Sequence, residues 1–229
     1  MEVQWYLDEK DFFSGLSVEK EIFLAHAKKR DIKEKEFLFF EGDYGNAVFY
    51  LVSGEVRISR INPLGKESIV FIRRAGEMFG LAEAIRGAKR VCNAQAMTAC
   101  CLYEITREEL EKLLSRYWPL ARRVMEILGS RLRYLGMQLE TLMSCDVTTR
   151  LMKLLFSLCC QKLIANNAWN EAVTISTKLT QEQIAAMIGS CQQTVSEVLK
   201  QLQENGLIRI SRKGREIIIL DPARLMTSL

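Results

Sequence analysis

The sequence predicts an α+β protein with an N-terminal antiparallel β-roll of jelly-roll type, a long dimerisation helix and a C-terminal winged helix-turn-helix. Three observations carry that prediction. Short runs rich in Val, Ile, Phe and Tyr fill residues 35–105 and are punctuated by Gly42, Gly45, Gly54, Gly65, Gly76 and Gly80. Leu128, Leu132, Leu135, Leu139 and Leu142 recur at alternating steps of four and three. Residues 180–206 read as helix, glycine turn, helix. The expected domains are therefore 1–116 for the roll, 117–144 for the long helix and 145–229 for the winged head.

Composition permits this layout. A chain of 229 residues, 48% hydrophobic and 26% charged, has room for two domains with real cores. No apolar run reaches the length of a membrane span, and the acidic start MEVQWYLDEKDFF has no signal-peptide apolar region. A cytoplasmic protein with no membrane partner is expected. The net charge of +4 is only a weak pull toward a polyanion. None of the seven cysteines sits in a CxxC motif. Cys100–Cys101 and Cys159–Cys160 are neighbours whose side chains diverge on a strand or a helix, so neither pair clamps a metal. Reduced thiols are expected. The single histidine, His26, excludes mechanisms that need two. No P-loop, nucleophile–base set or metal-ligand spacing argues for an enzyme.

In chain order, residues 18–30 read as a short helix with Ile22, Phe23 and Ala27 as its apolar stripe. The runs FLFFEGD, AVFYLVSG, EVRISRI, ESIVFIRRAGE and CCLYEI read as strands. Asn62-Pro63-Leu64-Gly65 is a turn between two of them, with proline preset for the corner and glycine free to take positive φ. Regularly spaced strands with glycine corners argue for a small roll or barrel.

Residues 118–143 form the long helix. Pro119 suits its first turn. The leucine positions, extended toward the N-terminus by Met125, make a heptad seam that asks for a partner helix. The alternative is an amphipathic helix lying on its own domain's core. Gly129 and Gly136 are points of weakness or close approach.

Asp146 is placed to cap a helix beginning VTTRLMKLLFSLCC, with Val147, Leu151, Leu154, Leu155 and Leu158 as its core face. Asn166 and Asn167 mark a loop, and 172–176 a short strand. Thr180 with Gln183 is a capping box that starts the next helix, with Ile184, Ala185 and Ile188 inside. Gly189 ends it in the left-handed conformation. The second helix buries Val195, Val198, Leu199 and Leu202 and stops near Asn205-Gly206. These offsets are those of a helix-turn-helix. ISRKGREIIIL then reads as a hairpin whose turn carries Arg212, Lys213 and Arg215, a basic wing suited to a phosphate backbone.

The succession FFEGD, YLVSGEV, GKESI, GEMFG, RVCNAQAMTAC and LYEI resembles the cyclic-nucleotide-binding β-roll, and with the head behind it the chain resembles the bacterial Crp/Fnr regulators from about residue 12 to 225. The resemblance implies an effector site at Gly80, Leu81, Ala82, Glu83, Arg90 and Val91, completed by Leu135 and Gly136 of the long helix. In cAMP-binding members a glutamate after the Phe-Gly pair holds the ribose, and an Arg-Ser pair holds the phosphate. Here Leu81-Ala82-Glu83 follows Phe79-Gly80, Val91 follows Arg90, and the two base-contacting hydroxyl positions are Leu135 and Gly136. Apolar replacements leave polar ligand groups unpaired, so cAMP is not the expected ligand. Arg90 offers a fork for a small anionic effector; the alternative is an ion-pair arginine. The cluster-binding branch needs N-terminal cysteines, and the first cysteine here is Cys92. The haem branch needs a Cys/His pair in the roll, and His26 precedes it.

The resemblance further implies a reading helix in the major groove, with Gln192, Gln193, Ser196, Glu197 and Lys200 toward the bases. Thr148, Thr180, Cys191 and Thr194 take phosphate-contacting or capping positions, with Ser190 as the replacement cap for Cys191. The expected function is a homodimeric transcription regulator on double-stranded DNA, gated by the roll, with RNA polymerase as a further partner open to it. The alternative is a sensor module that regulates a protein partner.

Overall fold

The run AVFYLVS is apolar without interruption because its strand is covered on both faces. Val48 and Tyr50 point into one core and Phe49 and Leu51 into another. This strand lies at the centre of the first of two units, Glu9–Ser130 and Arg131–Leu229, into which the chain divides. The computed structural model describes residues 9, 11–63, 65, 67–166, 169–175, 179–211 and 216–227.

The first unit runs α1 (Ser17–His26), β1 (Lys28–Ile32), β2 (Phe37–Phe39), β3 (Ala47–Ser53), β4 (Glu55–Ile61), β5 (Glu67–Arg74), β6 (Met78–Phe79), α2 (Leu81–Arg86), β7 (Asn93–Ala96), β8 (Cys100–Thr106) and α3 (Arg107–Arg116). It closes with the first half of α4 (Trp118–Ser144). Two antiparallel four-stranded sheets, β1-β8-β3-β6 and β2-β7-β4-β5, build the roll. Between them lie Ile32, Phe49, Leu51, Val56, Phe79 and Leu102. A second core joins Val48, Tyr50 and Ile105 to Phe12, Phe23, Leu110 and the α4 residues Leu120, Val124 and Ile127.

The expected helix at 18–30 ends four residues early, and its last residues belong to β1. Only Ile32 of that strand is buried; its charged residues lack strand character, and antiparallel pairing with β8 decides its conformation. Of the expected turn at 62–65, Leu64 lies outside the described residues; between β4 and β5 Gly65 has φ +76° and its amide donates to the Asn62 carbonyl.

The second unit continues α4 into α5 (Val147–Asn166), β9 (Val173–Thr174), α6 (Gln181–Ile188), α7 (Gln192–Glu204), β10 (Ile208–Ile210), β11 (Ile217–Ile219) and α8 (Pro222–Thr227). β10, β11 and β9 form a small antiparallel sheet. Asp146 caps α5 as expected, its carboxylate accepting from the Thr149 amide at 2.8 Å. The inner face of α5 is rotated from the expected one. Leu151 and Leu155 are buried, but Phe156, Cys159, Cys160 and Leu163 complete the core, while Leu154 and Leu158 are half-buried. The helix runs on through Asn166, expected to be loop, and Asn167 lies outside the described residues. No helix among the described residues is long and apolar enough to cross a membrane.

Candidate nucleic-acid interface and roll site

α6 and α7 form the helix-turn-helix. Thr180 accepts from the Gln183 amide at 3.1 Å and the Gln183 side chain accepts from the Thr180 amide at 2.9 Å, a complete capping box. Gly189 ends α6 at φ +65°, where a side chain would be strained. Ile184, Ala185, Ile188, Val195, Val198, Leu199 and Leu202 are all buried, as their spacing requires.

That packing fixes which face of α7 looks outward. Gln192, Gln193, Ser196, Glu197 and Lys200 are exposed. Gln193 donates to Glu197 at 3.5 Å, and Lys200 pairs with Glu204 at 3.8 Å, so Lys200 is drawn away from Glu197. Thr148 and Thr194 are half-exposed and Thr180 is exposed. The expected replacement cap is corrected: Cys191, not Ser190, occupies the N-cap position of α7, and no side-chain hydrogen bond caps the helix there. Its sulfur lies 3.1 Å from the Thr194 hydroxyl. That hydroxyl, then the Thr194 amide, hold the exposed Cys191 thiol below its usual range. Arg212, Lys213 and Arg215 lie outside the described residues; the strands that flank them are β10 and β11.

The α4 seam is largely bare within the chain. Met125, Leu132, Leu135, Leu139 and Leu142 are exposed, Leu132 by 72%. Leu128 instead packs partly against the core of the first unit. Leu120, Val124 and Ile127 cover the roll, while the leucine stripe leaves an apolar face in water.

In the roll, Gly80 precedes α2 with φ +78° and Arg90 reaches back to it. Arg90 is 3% exposed. Its Nη1 donates to the Gly80 carbonyl at 2.9 Å and lies 3.4 Å from the Glu83 carboxylate. Nη2 donates to the Ala47 carbonyl, and the guanidinium stacks on the Phe39 ring at 4.2 Å. Nε is buried without an acceptor among the described residues. Burial pulls the guanidinium down from its usual range, and the carboxylates of Glu83 and Asp43 push it back up. Leu81 is buried, Ala82 and Val91 are exposed, and Glu83 is partly buried. Leu135 and Gly136 belong to the second unit. Sequence reasoning missed Ala47, Phe39 and Gly45 as members of this site. A Cβ at Gly45 would lie 2.7 Å from the Cβ of Glu83, so glycine lets the loop press against α2. No His/Cys/Asp/Glu group able to hold a metal occurs among the described residues.

Residues 29–117 match the cyclic nucleotide-binding domain and residues 149–228 the Crp-like helix-turn-helix domain. The global nitrogen regulator of Synechococcus elongatus is 33% identical over 190 residues, covering 82% of this chain and 83% of that protein. A CRP-like cAMP-activated global transcriptional regulator of Mycobacterium tuberculosis is 28% identical over 195 residues, covering 85% of each chain. FixK2 from Bradyrhizobium japonicum, 22% identical, shares the fold with a TM-score of 0.75 over 88% of this chain and 96% of its own.

Proposed function

The chain belongs to the Crp/Fnr family of DNA-binding transcription regulators, and on that premise we propose that it works as a cytoplasmic homodimer whose paired reading heads are set by a small effector in the roll. The observation that carries the reading is the division of α7. One face is sealed by Val195, Val198, Leu199 and Leu202, which leaves Gln192, Gln193, Ser196 and Glu197 free to meet base edges. Thr148, Thr180 and Thr194, with the basic wing of Arg212, Lys213 and Arg215, supply phosphate contacts.

The bare stripe of Met125, Leu132, Leu135, Leu139 and Leu142 supports pairing of two copies along α4. Two heads so joined meet half-sites roughly 34 Å apart, one turn of DNA. The effector acts at Gly80, Leu81, Ala82, Glu83, Arg90 and Val91, with Leu135 and Gly136 of α4 transmitting its presence. It shifts the heads only by its differential affinity for their two arrangements. RNA polymerase is the further partner such a regulator meets at a promoter.

Binding of labelled duplexes, random and selected, measured by fluorescence anisotropy against salt, tests this reading. The logarithm of affinity should fall with the logarithm of salt at about −0.9 per neutralised phosphate. A flat slope overturns it.

A further inference from the structure

We infer that Glu83 is the resident anion of the Arg90 site, so that an external anion enters the roll only in exchange for this carboxylate. The inference rests on the reading of the roll as the sensing domain. A buried guanidinium needs a counter-charge and acceptors for its donors. Arg90 finds the counter-charge, and acceptors for three of its five N–H groups, within the chain. The Gly80 carbonyl accepts from Nη1 and the Ala47 carbonyl from Nη2, and Glu83 supplies the charge at 3.4 Å. The Glu83 side chain is 19% exposed against 2% for Arg90, so the carboxylate is the solvent-facing member of the pair.

The cradle is built to hold this arrangement. A Cβ at Gly80 would come within 3.0 Å of Nη1 and 3.3 Å of the Ala47 carbonyl, at a φ of +78°. Gly45 closes on Glu83 from the other side, and its amide donates to the Ala88 carbonyl at 3.0 Å. The Arg90 amide and carbonyl are bonded to the Asp43 carbonyl and the Gly42 amide, both at 2.8 Å, which clamps the loop over the pair. Glu83 and Asp43 act on Arg90, and Glu83 and Glu41 on the nearby Cys92, where Arg60, paired with Glu41 at 3.2 Å, acts in the opposite sense. A free phosphate or carboxylate is thus repelled by the carboxylate that already supplies the arginine's counter-charge. Two of its five N–H groups, the buried Nε and the second hydrogen of Nη2, are left for an incoming oxyanion. Glu83 therefore sets which ligands the roll accepts.

Thermal unfolding of the full chain with inorganic phosphate or sulfate, at ionic strength matched with sodium chloride, tests the exchange. Wild type should gain no more from either anion than from chloride. Glu83→Gln, with Glu83→Ala as a second variant of smaller side chain, should bind phosphate at least about tenfold more tightly. Glu83→Gln combined with Arg90→Gln should lose that gain. The proposal is overturned if phosphate stabilises wild type beyond chloride as much as it does the single variants. It is equally overturned if the single variants gain nothing, or if the double variant keeps the gain. Duplex binding measured on the same samples reports separately on the regulator reading, because loss of DNA binding leaves the anion response unchanged.

Discussion

The reading helix and the roll site use polar side chains in opposite ways. On α7 the apolar face is spent on the core, and Gln192, Gln193, Ser196 and Glu197 are exposed to water, Gln193 also donating to Glu197 at 3.5 Å. In the roll, Arg90 is turned inward, and carbonyls, a carboxylate and an aromatic ring consume it. Polar groups held ready for a partner add little to stability, whereas polar groups satisfied inside the protein become part of the fold. Substitution in the head should therefore change affinity and spare stability. Substitution at the roll site should do the reverse.

The largest effect is expected at the seam that gives the head its second copy. Leu132→Glu with Leu139→Glu sets like charges along the exposed stripe. It should yield folded monomer by light scattering, with duplex affinity down by at least about a hundredfold. Affinity unchanged in a monomer would break the link between the stripe and the head. Next comes Arg90→Ala, which strands Glu83 and two carbonyls. It should cost about 3 to 5 kcal/mol in denaturant unfolding while leaving the α7 contacts in place. An unchanged unfolding midpoint would mean that Arg90 is held for a ligand and not for the fold.

Gln192→Ala should lower duplex affinity by about tenfold through one lost base contact, with the melting temperature unmoved. A fall in stability without a fall in affinity would reverse the assignment. The smallest effect compares one thiol from each region. Cys191 is held below its usual range by Thr194, whereas burial and then the carboxylates of Glu83 and Glu41 push Cys92 up. A lowered thiol is thiolate at lower pH, so as pH rises iodoacetamide should label Cys191 first and Cys92 later. Mass spectrometry of the labelled chain reads that order.

How much of this was legible in the sequence depends on how far apart the cooperating residues lie. Thr180 and Gln183, Asp146 and Thr149, Gly189 and the four buried residues of α7 interact within a few positions, and local spacing located them all. The roll site joins Phe39, Ala47, Gly80, Glu83 and Arg90 across the sheets, and no periodicity links them. The family pattern pointed to Gly80, Glu83 and Arg90 but not to the Ala47 carbonyl or the Phe39 ring. Two missed helices carried local signals: Thr106 accepts from the Glu109 amide ahead of α3, and Asp221-Pro222 opens α8. β1 carried none, since its charges are strand-like only by virtue of β8.

Sedimentation of the purified chain, alone and with a duplex bearing two half-sites one turn apart, bears most directly on whether two copies zip along α4 to present two heads. The expected result is a dimer in free solution and two copies on each duplex. A monomer under both conditions, at concentrations well above the duplex dissociation constant, would contradict it.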